Sequence, residues 1–178
     1  KSSIMQIFPR WMETLGLDAE ITGYDAPPGA PPETYRRIVQ HIKSAPLARG
    51  ALVTTHKLDL LAAARELFDW LDPYAQLEGE ISCIAKDDGR LEGYAKDPIS
   101  SGLAWQHFVP AHHFGRTDAQ VLCLGAGGAA VAISVFLAQR PDGADRPRKF
   151  IAVDIVQKRL NTLQALHAKL ETDVTFDY

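Results

Sequence analysis

The sequence predicts an α/β protein built in two parts, on three observations. From about residue 117 onward, apolar strand-like runs alternate with helical runs: "AQVLCL", "GAAVAISVFLAQ", "KFIAVDIV", "QKRLNTLQALHAKL". That alternation implies parallel strands joined by right-handed crossovers. A glycine turn, Gly125-Ala126-Gly127-Gly128-Ala129-Ala130, sits where the first strand meets its helix. Upstream, short strands and helices mix, and Asp88-Gly89 between two strand-like runs is a hairpin signal, not a crossover.

Taken in order, residues 4–16 carry apolar side chains at helical spacing and stop at Gly16, with Pro9 near the first turn. Residues 19–26 read as a strand, and 34–43 as a helix behind a proline-rich loop. "ARGALVTT" (48–55) is the next strand, followed by an amphipathic helical run over 58–71. Residues 79–94 form the hairpin, and Asp97-Pro98 opens a helix with proline at a favoured first position. Residues 109–117 are polar and irregular, so the parts divide there: residues 1–112 and 113–178. Trp11, Trp70 and Trp105 fall on apolar faces and are expected in the core.

Composition narrows the class. With 46% hydrophobic and 23% charged residues and a net charge of −3, there is no electrostatic case for nucleic acid or an anionic membrane. No apolar run reaches the roughly 18–20 residues that span a bilayer, and the start lacks a basic-then-apolar signal. Cys83 and Cys123 lie in apolar runs and read as buried thiols of a cytoplasmic protein. The chain opens without Met and closes on "VTFDY", the start of a strand, so a fragment lacking a C-terminal part is expected. His112-His113 have no Cys or carboxylate at ligand spacing, and no metal is expected. His56 reads as a packing residue and Ser100-Ser101-Gly102 as a helix start.

The glycine turn carries the first chemical reading. Gly125-x-Gly127-x-x-Ala130 directly after a strand and opening a helix is the context of a dinucleotide site. Gly125 permits the tight turn, Gly127 lets backbone approach a pyrophosphate, and Ala130 keeps helix against strand. The helix start offers unpaired N–H groups to phosphate. Asp154, closing the next strand, accepts hydrogen bonds from ribose hydroxyls and would repel a 2′-phosphate. NAD is therefore expected over NADP, though Lys158 and Arg159 lie just beyond.

Two further charges stand at strand-to-helix corners, Lys57 and Asp97. Alone, each is a solvated helix start or a plain N-cap. With the motifs around them, the sequence resembles the shikimate/quinate dehydrogenase family over nearly its whole length. "GALVTTHK" is similar to that family's G-x-N-V-T-x-P-x-K, "DGRLEGYAKD" to D-G-x-L-x-G-x-N-T-D, and "LCLGAGGAA" to L-G-A-G-G-A-A. "KSSIM…LGL" is similar to the family's S-x-S-P…L-G-L opening.

The resemblance implies a substrate-binding α/β domain followed by a partial Rossmann domain. It implies reversible hydride transfer between NAD(P) and a ring hydroxyl or ketone of a shikimate- or quinate-like cyclic acid, a step of the shikimate pathway. Lys57 is implied as the acid/base and Asp97 as its partner, with Ser2, Thr54 and Ser82 binding substrate. There are departures: Leu52 and Ser82 fall on family asparagines, Ile4 on the second carboxylate-holding serine, and Ala95-Lys96 on Asn-Thr. The proline before the lysine is missing, and that stretch is one residue shorter. The acid/base pair is kept while the hydroxyl-reading shell changes, so the substrate is expected to differ within the class. A non-catalytic NAD(H)-binding regulator is the alternative, a folate-type enzyme of similar architecture a weaker one, and a homodimer is left open.

Overall fold

The computed structural model describes residues 2–27 and 29–178. Its first part is a four-stranded sheet with helices against it. Helix α1 (Ile4–Leu15) holds Pro9 inside and ends where Gly16 adopts φ 65°, its N–H returning to Glu13 O. None of its residues is buried. The strand expected at 19–26 is absent; this stretch has no regular secondary structure and no ladder partners. Helix α2 (Pro32–Ser44) buries Tyr35, Val39 and Ile42, one face of a 3.6-residue period.

Strand β1 (Gly50–Leu52) leads into helix α3 (Lys57–Ala64). The helical run expected through residue 71 breaks here: a short 3-10 turn covers Arg65–Leu67, and β2 (Trp70–Leu71) is a strand. Tertiary pairing overrides the local pattern, because Trp70 and Leu71 pair in parallel with Glu92 and Gly93. Asp69 Oδ2 also accepts a bond from the backbone N–H of Leu91 at 2.7 Å. Helix α4 (Pro73–Glu78) follows at once, capped by Asp72, whose Oδ1 accepts from Ala75 N at 2.7 Å.

Strands β3 (Cys83–Asp87) and β4 (Arg90–Tyr94) form the expected hairpin. Asp88 at φ 45° and Gly89 at φ 78° give the mirror-image turn that suits the twist of paired strands. The sheet order is β1-β3-β4-β2. Its core gathers Val39, Leu60, Leu71, Ile81, Ile84 and Leu91.

Helix α5 (Asp97–Gln106) and the short α6 (His113–Thr117) lead to a second, three-stranded parallel sheet ordered β5-β6-β7. Strands β5 (Val121–Leu124), β6 (Lys149–Val153) and β7 (Thr175–Asp177) alternate with α7 (Gly128–Ala138) and α8 (Gln157–His167). Phe114, Leu137, Phe150 and Leu163 lie in the second core. Although α5 precedes this sheet, it packs on α7: a Cβ at Gly102 would lie 2.3 Å from the Phe136 ring.

Of the three tryptophans expected in the core, Trp11 and Trp70 are exposed at 52% and 38%, the amphipathic faces they sit on having no covering element. Both cysteines are free and half-buried. Among the described residues, no helix is long and apolar enough to cross a membrane.

Candidate active site

Lys57 and Asp97 lie forty residues apart and meet. Each begins a helix, α3 and α5, and both helices start at the same end of the first sheet, beyond the C-terminal ends of β1 and β4. The Lys57 Nζ donates to Asp97 Oδ2 and also lies 3.9 Å from Glu80 Oε1. The start of α3 is held by His56, whose Nε2 bonds Ala26 O at 2.9 Å and whose Nδ1 bonds Tyr35 Oη at 3.0 Å. A carbonyl only accepts, so Nε2 carries the hydrogen and Nδ1 takes the tyrosine's. His56 is thus a post that fixes the turn before Lys57.

The corner bearing Asp97 is held just as firmly. Ser82 Oγ accepts from Lys96 N at 2.7 Å and donates to Tyr94 O at 3.3 Å. Asp72 Oδ1 accepts from Ala95 N at 3.2 Å. The pair opens on a cleft of about 620 Å³ whose lining includes Leu52, Thr54, Ser82, Lys96 and Ser100. Thr54 and Ser82 are therefore both at the cleft, Ser82 with its proton already given to backbone. Ser2, ahead of α1, is exposed and does not line it.

Lys96 was not singled out in the sequence. Its ammonium lies 3.5 Å from Asp72 Oδ2 and 4.2 Å from the centre of the Tyr94 ring, giving the cleft a second cation. Glu78 and Glu80 were also missed; the visible signal was a pair of acids around Gly79 on the approach to a buried strand. Glu78 is buried and Glu80, near Lys57, is half-buried. Neither oxygen of Glu78 has a hydrogen-bond partner among the described residues. Burial, then the Glu80 and Asp97 carboxylates, push the Glu78 carboxyl up to about 8. Burial also raises Glu80, with Lys57 pulling it down.

The glycine turn joins β5 to α7. Gly125 has φ 110°, a region side chains resist, and Gly127 caps the helix with extended backbone and no side-chain cap. No atom lies within 4 Å of where a Cβ on Gly125, Gly127 or Gly128 would stand. The helix start therefore offers unpaired N–H groups to an open cradle beside Ala129 and the buried Ala130, which fits a pyrophosphate. Asp154 closes the site from β6: Oδ2 accepts from Ala126 N and Oδ1 from Val156 N, each at 2.8 Å. Those two N–H groups hold its carboxyl below the usual range. Arg159 Nη1 stands 3.7 Å from it.

A carboxylate does reach His112, contrary to its sequence neighbourhood. The loop after α7 brings Asp142 Oδ2 within 3.3 Å of His112 Nδ1, and Asp145 accepts from His112 N. Asp145 is already paired with Arg140 at 2.6 Å, so the group reads as a loop anchor.

No family model matches the chain. Over 135 residues, it is 30% identical to the shikimate dehydrogenase (NADP(+)) of Methylobacterium radiotolerans, covering 75% of this chain and 45% of that protein. It aligns with ligand-free 5-ketofructose reductase of Gluconobacter sp. strain CHM43 at TM-score 0.73 and 25% identity, covering 99% of this chain and 57% of that one. The shikimate 5-dehydrogenase of Listeria monocytogenes, solved with shikimate and NAD, aligns at TM-score 0.68 and 20% identity, covering 98% and 56%. The chain spans about half the length of the curated relatives it matches. Over that half, the chain is similar in sequence to shikimate dehydrogenases and shares their fold.

Proposed function

We propose that the chain carries the acid/base pair and the dinucleotide turn of an NAD(P)-dependent dehydrogenase acting on a ring hydroxyl or ketone of a shikimate- or quinate-like cyclic acid. Residues 1–112 form the substrate domain and 113–178 the dinucleotide domain. The observation that carries this is the Lys57–Asp97 pair at the wall of the 620 Å³ cleft. The dinucleotide, when bound, supplies or accepts the hydride. In ketone reduction, the Lys57 ammonium gives its proton to the carbonyl oxygen, and in oxidation the amine takes it back. Asp97 aims Lys57 and accepts a hydrogen bond from the substrate hydroxyl. Thr54 and Lys96 supply polar contacts at the cleft, while Ser82 serves by fixing the backbone before Asp97.

For the dinucleotide, the relative's name favours NADP, while the Listeria enzyme was solved with NAD. This chain's own residue argues for NAD. A charged, half-buried Asp154 stands where a 2′-phosphate would approach, and Arg159 is its partner already. Asp154→Ser, leaving Arg159 free, should move the kcat/KM ratio toward NADP by about tenfold or more.

One observation favours a second reading of the substrate. Ser2 lies off the cleft and Leu52 lines it, so fewer groups await a carboxylate and ring hydroxyls than the resemblance implies. A polyhydroxy ketone without a carboxylate fits such a cleft, as the name of the Gluconobacter neighbour suggests. The test measures NAD(P)H formation or loss with shikimate, quinate, their ketones and 5-ketofructose, for wild type and Lys57→Ala. Turnover that falls roughly 10²–10⁴-fold in the variant is expected. Dinucleotide binding with no turnover of any substrate would instead make the protein a regulator.

A further inference from the structure

The cleft holds two cations, and acid/base chemistry occupies only one of them. Lys57 donates to Asp97 and handles the proton. Lys96 stands where the resemblance sets a threonine, one residue ahead of Asp97, and lines the same cleft. Its ammonium has three N–H donors. Among the described residues it makes one polar contact, to Asp72 Oδ2 at 3.5 Å, the outer limit of a hydrogen bond. The Tyr94 ring lies 4.2 Å away on one side, and the side chain keeps 47% of its surface open.

Asp72 does not depend on Lys96. Its Oδ1 takes the N–H groups of Ala75 and Ala95, at 2.7 and 3.2 Å, as the cap of α4. Lys96 is therefore free to leave Oδ2 for a better acceptor without unmaking the corner before Asp97. The backbone adds to its field. Neither α3 nor α5 has a side-chain hydrogen bond at its cap, so both helix starts turn unpaired N–H groups toward the same end of the sheet.

We propose that Lys96 determines specificity in this cleft by binding the carboxylate of the substrate, in place of the serines ahead of α1 that the resemblance implies. This deepens the dehydrogenase reading and rests on it. It also divides the two substrate readings. A hydroxy or keto acid meets the second cation, whereas a neutral polyhydroxy ketone leaves it with Asp72 alone. The charges nearby limit the anion to one negative charge. Asp97 offsets Lys57, and Asp72 and Glu80 stand close by, so a phosphate dianion would meet repulsion as well as attraction. A carboxylate needs only one ammonium. No bond changes at Lys96; it holds the acid so that the carbinol O–H meets Lys57.

The test compares shikimate and quinate with their methyl esters, which keep the ring hydroxyls and lose the charge. It uses the whole protein, Lys96→Met, which keeps the stem, and Lys96→Arg, which keeps the charge. In wild type, kcat/KM should favour acid over ester, with the difference in KM, and added salt should shrink it. Lys96→Met should cut that preference about tenfold or more, and Lys96→Arg should retain most of it. Independently of turnover, calorimetry should show both acids binding Lys96→Met about tenfold more weakly than wild type. A wild type that binds the acids no better than their esters overturns the proposal, as does a Lys96→Met variant with the full preference. A wild type that turns over none of these compounds, yet binds the acids through Lys96, sinks the dehydrogenase reading alone.

Discussion

Glu78 and His167 are each buried behind one of the two sheets, and they are kept neutral in opposite ways. Glu78 has no hydrogen-bond partner and stays neutral by holding a proton. His167 is fully engaged: Nε2 bonds Ser134 Oγ at 2.7 Å, Nδ1 bonds Tyr178 Oη at 2.9 Å, and Phe176 stacks on the ring at 3.8 Å. Ser134 passes its hydroxyl hydrogen to Val131 O, so the histidine needs no charge. Burial depresses it to about 4. Around His167 the polar groups are satisfied and hold the fold, whereas the Glu78 carboxyl is left without a partner and titratable. That difference marks where chemistry is done, because an incompletely paired buried network is costly unless it is used.

The largest expected effects separate the two halves by function. Asp97→Asn keeps the shape of the corner but weakens the hold on Lys57, and should cost kcat about 10²-fold or more. Dinucleotide affinity, measured by nucleotide fluorescence or calorimetry, should not change. Gly125→Val reverses the pattern. Its φ of 110° is strained for a side chain, about 1–3 kcal/mol, so affinity should fall tenfold or more while the Lys57–Asp97 pair stays intact. Equal loss of both properties in both variants would break the division.

Much of this was legible in the sequence, and unevenly so. In the second half the order of strands and helices was legible, since the strand-turn-helix period is local and Gly125 demands its own conformation. Residues 113–117, read as irregular, nevertheless form a helix, and the strand read over 149–156 ends at Val153. In the first half, Trp70 and Leu71 looked helical because their spacing is helical; only pairing with Glu92 and Gly93, twenty-two residues on, makes them a strand. The strand expected at 19–26 finds no neighbour to pair with. At the cleft, Lys57, Asp97, Thr54 and Ser82 were visible through motif order, whereas Glu78 and Glu80 matched no motif and Lys96 stood only as a departure from one. Their importance comes from burial beside Lys57 and Asp72, which one-dimensional spacing does not carry.

A smaller effect follows from the two neutral groups. Glu78 is raised from 4.5 to about 8, so the folded state binds its proton more tightly and stability falls as pH rises across that window. His167 is lowered from 6.5 to about 4, so stability is lost as pH falls across its window. At about 1.4 kcal/mol per pH unit the shifts correspond to at most about 5 and about 3 kcal/mol, and screening by nearby water lowers both. In thermal unfolding followed against pH, Glu78→Gln should flatten the fall above about pH 6.5 and, because the two windows overlap between 4.5 and 6.5, steepen the acid limb. His167→Gln should lower the melting temperature throughout and flatten the acid limb. If either variant flattened the other's limb, the assignment of one neutral group to each half would fail.

The smallest effect tests whether the halves are independent at all. Helix α5 begins with the cleft residue Asp97 yet packs on α7 through Gly102, at the Phe136 ring. Alanine at 102 gains roughly 0.8–1 kcal/mol in helix propensity. Its Cβ would stand 2.3 Å from the ring, and such overpacking costs roughly 1–3 kcal/mol. Phe136 is half-buried, so it can yield in part, and a net loss of about 1 kcal/mol is expected. The loss should fall on the contact between halves, broadening one unfolding transition toward two. Phe136→Leu clears the ring, so in the double variant the alanine should turn from a penalty into a gain, a coupling measurable by a double-mutant cycle. Simple additivity would mean that α5 moves freely on α7, and that the Asp97 corner takes its position from the first sheet alone.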